Sequence, residues 1–216
     1  MVRLFLVFLV LSGPAFAGAW PRGAGKGFAT ASTRLLASDP AGPVYRYSTL
    51  YLEYGLNDRL TLGLDAGRGV SGDSKVIAFL RFPIIVPRRG TYWAAELGLG
   101  QIAGETTLRP GISYGRGFSA GQRSGWIAID TLAEFRVASK RTDLKADVTI
   151  GLNYSDRFKG ILQLQTGVSS GDPSFLRLAP SVIIRTSQNS NIEFGLNAGL
   201  LGDKTLGVTF GFWRDF

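Results

Sequence analysis

The chain has 216 residues, enough for one ordinary domain or one β-barrel, and its 45% apolar content supplies a large buried or lipid-facing surface. It contains no cysteine and no histidine, which excludes disulfides, thiolate and imidazole metal centres, cysteine nucleophiles and Ser-His-Asp triads. Its 24 basic and 16 acidic residues leave a net charge of +8, and its 29 glycines suit strands that crowd or backbones that bend.

The N-terminus reads as an export signal. Arg3 supplies a positive charge, Leu4 to Leu11 is an unbroken apolar run, and Ala15-Phe16-Ala17 fits a signal peptidase site, so cleavage is expected after Ala17. The run is too short for a membrane-spanning helix, which needs about 20 apolar residues. Residues 1–17 are therefore assigned to the signal and 18–216 to a single domain, with 23 basic against 16 acidic residues.

From Lys26 onward apolar residues recur at every second position, the period of a strand with two unlike faces. Leu60, Leu62, Leu64 and Ala66 oppose Arg59, Thr61, Gly63, Asp65 and Gly67. The same alternation sets Leu144, Ala146, Val148 and Ile150 against Lys145, Asp147, Thr149 and Gly151, and Ile192, Phe194 and Leu196 against Glu193, Gly195 and Asn197. About twelve such stretches follow one another, near 26–37, 45–56, 59–68, 74–86, 91–101, 108–118, 125–136, 142–154, 158–168, 175–186, 190–201 and 205–216. Polar or Gly/Pro-rich turns separate them, as at Asn57-Asp58, Pro87 to Gly90, Ser155 to Arg157, Ser187 to Asn189 and Gly202 to Lys204. Connections this short join antiparallel neighbours, which predicts an all-β, up-and-down antiparallel transmembrane barrel.

Three features favour a barrel in lipid over a soluble sandwich. The polar phase is rich in glycine and charge, as suits a crowded or wet lumen. Aromatic residues gather beside alternate turns: Tyr54, Phe82, Tyr92, Trp93, Phe118, Trp126, Tyr154 and Phe158, the expected place of an interfacial girdle. The last strand puts Leu206, Val208, Phe210, Phe212 and the terminal Phe216 in one register.

That strand resembles the C-terminal assembly signal of Gram-negative outer-membrane β-barrels, carried here by Phe210, Phe212 and Phe216. The resemblance implies insertion in the bacterial outer membrane with both termini periplasmic, outer-membrane lipid and lipopolysaccharide as surroundings, and the barrel-assembly machinery as a partner during biogenesis. In addition, the stretch Ala19 to Gly27 and the hairpin Tyr54 to Gly63 resemble outer-membrane transporters associated with aromatic-compound degradation. These two motifs cover about the first third of the chain and hold no substrate chemistry.

The polar phase turned inward carries Arg59, Lys75, Arg81, Arg109, Arg136, Lys145, Lys159, Arg177 and Arg185 against Glu53, Asp65, Glu96, Asp130, Glu134, Asp147 and Glu193. Of these, Asp65, Arg81, Glu96, Arg109, Asp130, Glu134, Lys145, Asp147 and Arg177 are the candidate pore-lining residues. Such a mixed set either pairs across a filled interior or lines an aqueous path whose field tunes solute passage. Inward glycines such as Gly63, Gly115 and Gly151 leave space, or relieve bending where a small barrel curves. Arg136, Lys140, Arg141 and Lys204 are candidates to meet lipopolysaccharide phosphates at the outer rim.

No enzyme is expected. Ser74-Lys75 and Ser139-Lys140 are sequence neighbours, which a strand points to opposite faces. Gly67-Arg68-Gly69 precedes no helix and so makes no phosphate loop. Basic residues are spread over all strands, which argues against nucleic acid. The expected function is a passive channel or uptake pore for small polar or anionic solutes, without cofactor or metal. The alternative is a closed structural or surface-interaction barrel, and nothing in the sequence sets the oligomeric state.

Overall fold

Alternation becomes strand along the whole chain in a computed structural model, which describes residues 18–39, 42–69, 74–85, 90–202 and 204–216. The expected signal segment 1–17 and turn residues 86–89 lie outside the described residues. Twelve strands follow in order: β1 (Gly27–Ala37), β2 (Val44–Gly55), β3 (Thr61–Gly69), β4 (Ser74–Pro83), β5 (Thr91–Ile102), β6 (Glu105–Ala120), β7 (Arg123–Arg136), β8 (Thr142–Asn153), β9 (Phe158–Ser169), β10 (Phe175–Ser187), β11 (Ser190–Leu201) and β12 (Leu206–Asp215). Each pairs antiparallel with its sequence neighbour, and β1 pairs with β12, so the sheet closes without an edge.

Closure is completed at one end, where Gly27 N donates to Phe216 O at 2.6 Å and Phe216 N donates to Gly27 O at 3.0 Å. The Phe216 ring lies over Gly27 so closely that a Cβ there would stand 2.1 Å from it. The last residue of the chain thus seals the seam between the first and last strands. Phe210 and Phe212 share its outward phase on β12, and the Phe210 ring meets Phe194 edge-on at 5.8 Å.

The apolar phase faces out. Leu62, Leu97, Leu99, Ile112, Leu144, Ile150, Leu196 and Phe210 are all exposed, whereas Glu53, Arg81, Glu96, Arg109 and Glu134 are buried. This inversion of a soluble core is what a hydrocarbon solvent requires. Pro110 and Pro180 lack a backbone donor, and each is laddered on one side only, Pro110 to Leu97 and Pro180 to Leu162.

Three details depart from the sequence expectation. Arg59 is in an exposed turn rather than on an inward strand face, because Asn57 Oδ1 accepts from the amides of Arg59 and Leu60, both at 2.8 Å, and β3 starts only at Thr61. Trp126 and Tyr92 leave the aromatic girdle for the interior, since Trp93 and Ile127 take the outward positions beside them. Tyr54, Phe82, Trp93, Tyr154 and Phe158 do face outward. Finally, inward glycines do not leave a void: the Phe79 ring fills the space over Gly63, Trp126 that over Gly151, Tyr47 that over Gly67 and Trp20 that over Gly115.

Candidate functional site

All nine predicted lining residues, Asp65, Arg81, Glu96, Arg109, Asp130, Glu134, Lys145, Asp147 and Arg177, border one internal cavity of about 510 Å³. Strand phase explains their convergence: each alternates with a lipid-facing apolar residue. A charge moved to the lipid face near the bilayer centre would cost about 2–4 kcal/mol for Arg or Lys. The two halves of the wall use these charges differently.

On the wall formed by β2 to β6, charges are joined in one unbroken chain. Arg22 pairs with Glu53, Glu53 with Arg81, Arg81 with Glu96 at 2.7 Å, Glu96 with Arg109 at 2.8 Å, Arg109 with Asp65, and Asp65 with Lys75 at 2.7 Å. The Tyr51 hydroxyl donates to Glu53 at 2.5 Å and accepts from Arg81 at 3.0 Å. The Phe79 ring sits 5.0 Å from the Arg81 guanidinium carbon and 5.4 Å from that of Arg109, and stacks on Tyr51 at 5.6 Å. Both arginines therefore bridge two carboxylates while an aromatic face covers them, which is how buried guanidinium groups offset lost hydration.

The remaining wall, β7 to β12 with β1, combines neutral groups with charges that are not joined in a continuous chain. Arg34 donates to Gln165 at 3.4 Å, Gln165 to Gln163 at 2.6 Å, and Gln163 to Thr149 at 3.1 Å. Trp213 donates to Glu193 at 3.0 Å, and Asn197 to Thr209 at 2.7 Å. Two separate ion pairs between neighbouring strands, Lys145 with Glu134 at 2.6 Å and Arg136 with Asp143 at 2.7 Å, lie there among the described residues. Asp130 and Asp147 are direct cross-strand partners, and Arg177 borders the same cavity.

A segment ahead of β1 enters the lumen. Trp20 packs with Trp126, Ala128, Tyr92 and Ile161, and Arg22 lies over the Phe28 ring at 4.4 Å. The segment is gripped by the β2–β3 hairpin: Gly25 N donates to Gly55 O at 2.9 Å, Gly55 N to Lys26 O at 2.9 Å, and Ala24 N to Asp58 Oδ1 at 3.1 Å. Gly55 must be glycine, since a Cβ there would stand 1.9 Å from Gly23 O. The two sequence motifs noted near the start of the chain, Ala19 to Gly27 and Tyr54 to Gly63, are thus one contact.

Sequence reasoning missed Arg22, Arg34, Tyr47, Tyr51 and Asp143 as interior polar residues. Arg34 was hidden because Leu35 and Leu36 blur the alternation of β1. At the end of the barrel opposite Phe216, Arg136 turns inward to the buried Asp143 at 2.7 Å and Arg141 pairs with Asp172 in an exposed turn at 2.5 Å, so two of the four proposed rim cations are held by carboxylates of this chain. Among the described residues, no group of three or more acidic side chains is arranged to hold a metal ion.

No family model and no curated protein sequence matches the chain. Solved structures do share its architecture. The KdgM porin is 7% identical with a TM-score of 0.64, covering 87% of this chain and 99% of its own. The NanC porin is 8% identical with a TM-score of 0.63, covering 87% and 98%. The COG4313 outer membrane channel from Pseudomonas putida F1 is 10% identical with a TM-score of 0.58, covering 94% and 99%. At these identities the likeness establishes the fold, a twelve-stranded barrel of the outer-membrane type.

Proposed function

We propose that the protein is a passive outer-membrane pore for small polar or anionic solutes, exported by a signal removed after Ala17 and inserted with both mature termini in the periplasm. One observation carries this reading: a polar cavity inside the closed barrel presents Arg34, Lys145 and Arg177 with Asp147 on one wall, opposite charges already joined to one another. Rings of mixed charge select solutes by field and diameter and need no reaction. The shared fold with proteins described as porins and a channel supports the same conclusion.

The second reading is a closed structural barrel, favoured by the ion-pair chain and by Trp20, which together fill much of the lumen. Purified protein in planar bilayers separates the two. Stepwise conductance is expected; silence from protein that still shows heat-modifiable folding would overturn the pore. Flux of small anions and sugars into vesicles then ranks the solutes.

A further inference from the structure

We propose that signal removal creates an internal ion pair: the new α-ammonium group of Gly18 binds the Asp130 carboxylate inside the barrel and latches residues 18–26 in the lumen. In the hydrolysis, water adds to the Ala17 carbonyl and the C–N bond to Gly18 breaks. Ala17 leaves as a carboxylate, and the freed Gly18 amine holds a proton at neutral pH. An uncut chain would have only an uncharged amide N–H at that point.

The placement is tight. Gly18 is buried, and a Cβ on it would stand 2.7 Å from Asp130 Oδ1 and 3.2 Å from Oδ2. Its nitrogen is bonded to the same Cα, so it lies within about 5 Å of that carboxylate. The space admits no side chain.

Asp130 forms no ion pair among the described residues, although it takes a hydrogen bond from Ser113 and feels the charge of Arg81. Its Oδ1 is buried and accepts no hydrogen bond among the described residues. Its cross-strand neighbours are Ser113 on one side and Asp147 on the other, and two carboxylates directly opposite each other repel. Arg81 is committed to Glu53 and Glu96. A cation at Gly18 would neutralise Asp130 and relieve its opposition to Asp147. The latch would fix the inner end of a segment whose outer end is held by Arg22 on Glu53 and by the Gly25–Gly55 hydrogen bond.

The latch does not depend on solute passage, so its failure leaves the pore reading untouched. Protein exported and processed in cells should begin at Gly18 by intact mass and N-terminal sequencing; a different start overturns the proposal. Folded barrels are next treated with acetic anhydride at pH 7, and modification of the Gly18 amine is followed by mass spectrometry. Native protein should react at least about tenfold more slowly than urea-unfolded protein, the factor that one unit of pKa represents. Asp130→Asn should abolish most of that protection, and Asp130→Glu should restore it. Equal rates in native protein and Asp130→Asn would overturn the latch. Should Asp130→Asn fail to fold, barrels refolded with Ala17 still attached keep Asp130 but shift the amine by one residue, about 3.5 Å. Their amine should react as fast as that of unfolded protein, and protection equal to the processed chain would overturn the latch.

Discussion

The two walls of the lumen solve one problem in opposite ways. On β2 to β6, three cations and three carboxylates alternate in a chain that Arg22 extends from outside the sheet, and Arg81, Arg109, Glu53 and Glu96 have almost no exposed side-chain surface. On β7 to β12 and β1, glutamines, threonine and asparagine hydrogen-bond to one another, and the ion pairs Lys145–Glu134 and Arg136–Asp143 stand singly rather than linked in a chain. The first arrangement gives rigidity, because each inner charge is fixed by two partners in a poorly hydrated space. The second leaves charge able to act on a passing solute. A small barrel can thus be both stable and polar inside by separating the two tasks onto different strands.

The sharpest way to break this comparison is to remove a central member of the charged chain. Glu96 accepts from both Arg81 and Arg109, so Glu96→Ala leaves two buried guanidinium groups short of a partner. The expected loss is about 3–5 kcal/mol, the usual cost of breaking a buried pair. Across the lumen, Gln163→Leu removes neutral hydrogen bonds and should cost about 1 kcal/mol. Urea midpoints for unfolding from lipid vesicles measure both. Equal losses would mean that the two walls do not differ in kind.

A smaller effect tests rigidity directly. Gly63→Ala and Gly151→Ala would each drive a Cβ into an aromatic ring, 2.0 Å from Phe79 and 2.1 Å from Trp126. Overpacking of this sort costs about 1–3 kcal/mol. Phe79 lies against Arg81 and Arg109 and cannot yield without disturbing them, whereas Trp126 rests on Trp20 of a segment that is not part of the sheet. Gly63→Ala is expected at the upper end of that range and Gly151→Ala at the lower, again by urea unfolding in vesicles. A reversed order would place the rigid part of the lumen at the tryptophans.

Much of this was legible in the sequence, and the missing part has a physical cause. Period-2 alternation alone assigns Asp65, Lys145 and Asp147 to the inner face, because one hydrophobic phase must meet lipid. Which inner charges pair was not legible. Arg109 on β6 reaches Asp65 on β3, and Arg22 reaches Glu53 from outside the sheet. Such contacts follow from barrel curvature and from the packing of a non-strand segment, which alternation does not encode. The ring-over-glycine contacts depend on register: Gly151 is the direct partner of Trp126, and Gly63 of Phe79. A reader without the register sees inward glycines as room, while the aligned strands show that the room is taken.

The least costly substitutions bear most directly on passage. Arg34 and Arg177 lie within electrostatic reach of each other and border the cavity on the second wall. Replacing Arg177 by Glu changes local charge by two without entering the chain from Arg22 to Lys75. The ion pairs of that chain stay intact while Arg177 gives up its contact over the Phe175 ring at 5.7 Å, so stability should change by about 1 kcal/mol, the scale of a partly solvated charge. Selectivity should change far more, since a charge beside a narrow aqueous path acts on every ion that crosses it. In planar bilayers under a salt gradient, the reversal potential of Arg177→Glu should shift toward cations, with Arg34→Gln shifting it in the same direction by less. If both variants conduct with the native reversal potential, ions do not pass this wall, and the assignment of separate tasks to the two walls fails even though the barrel remains as stable as before.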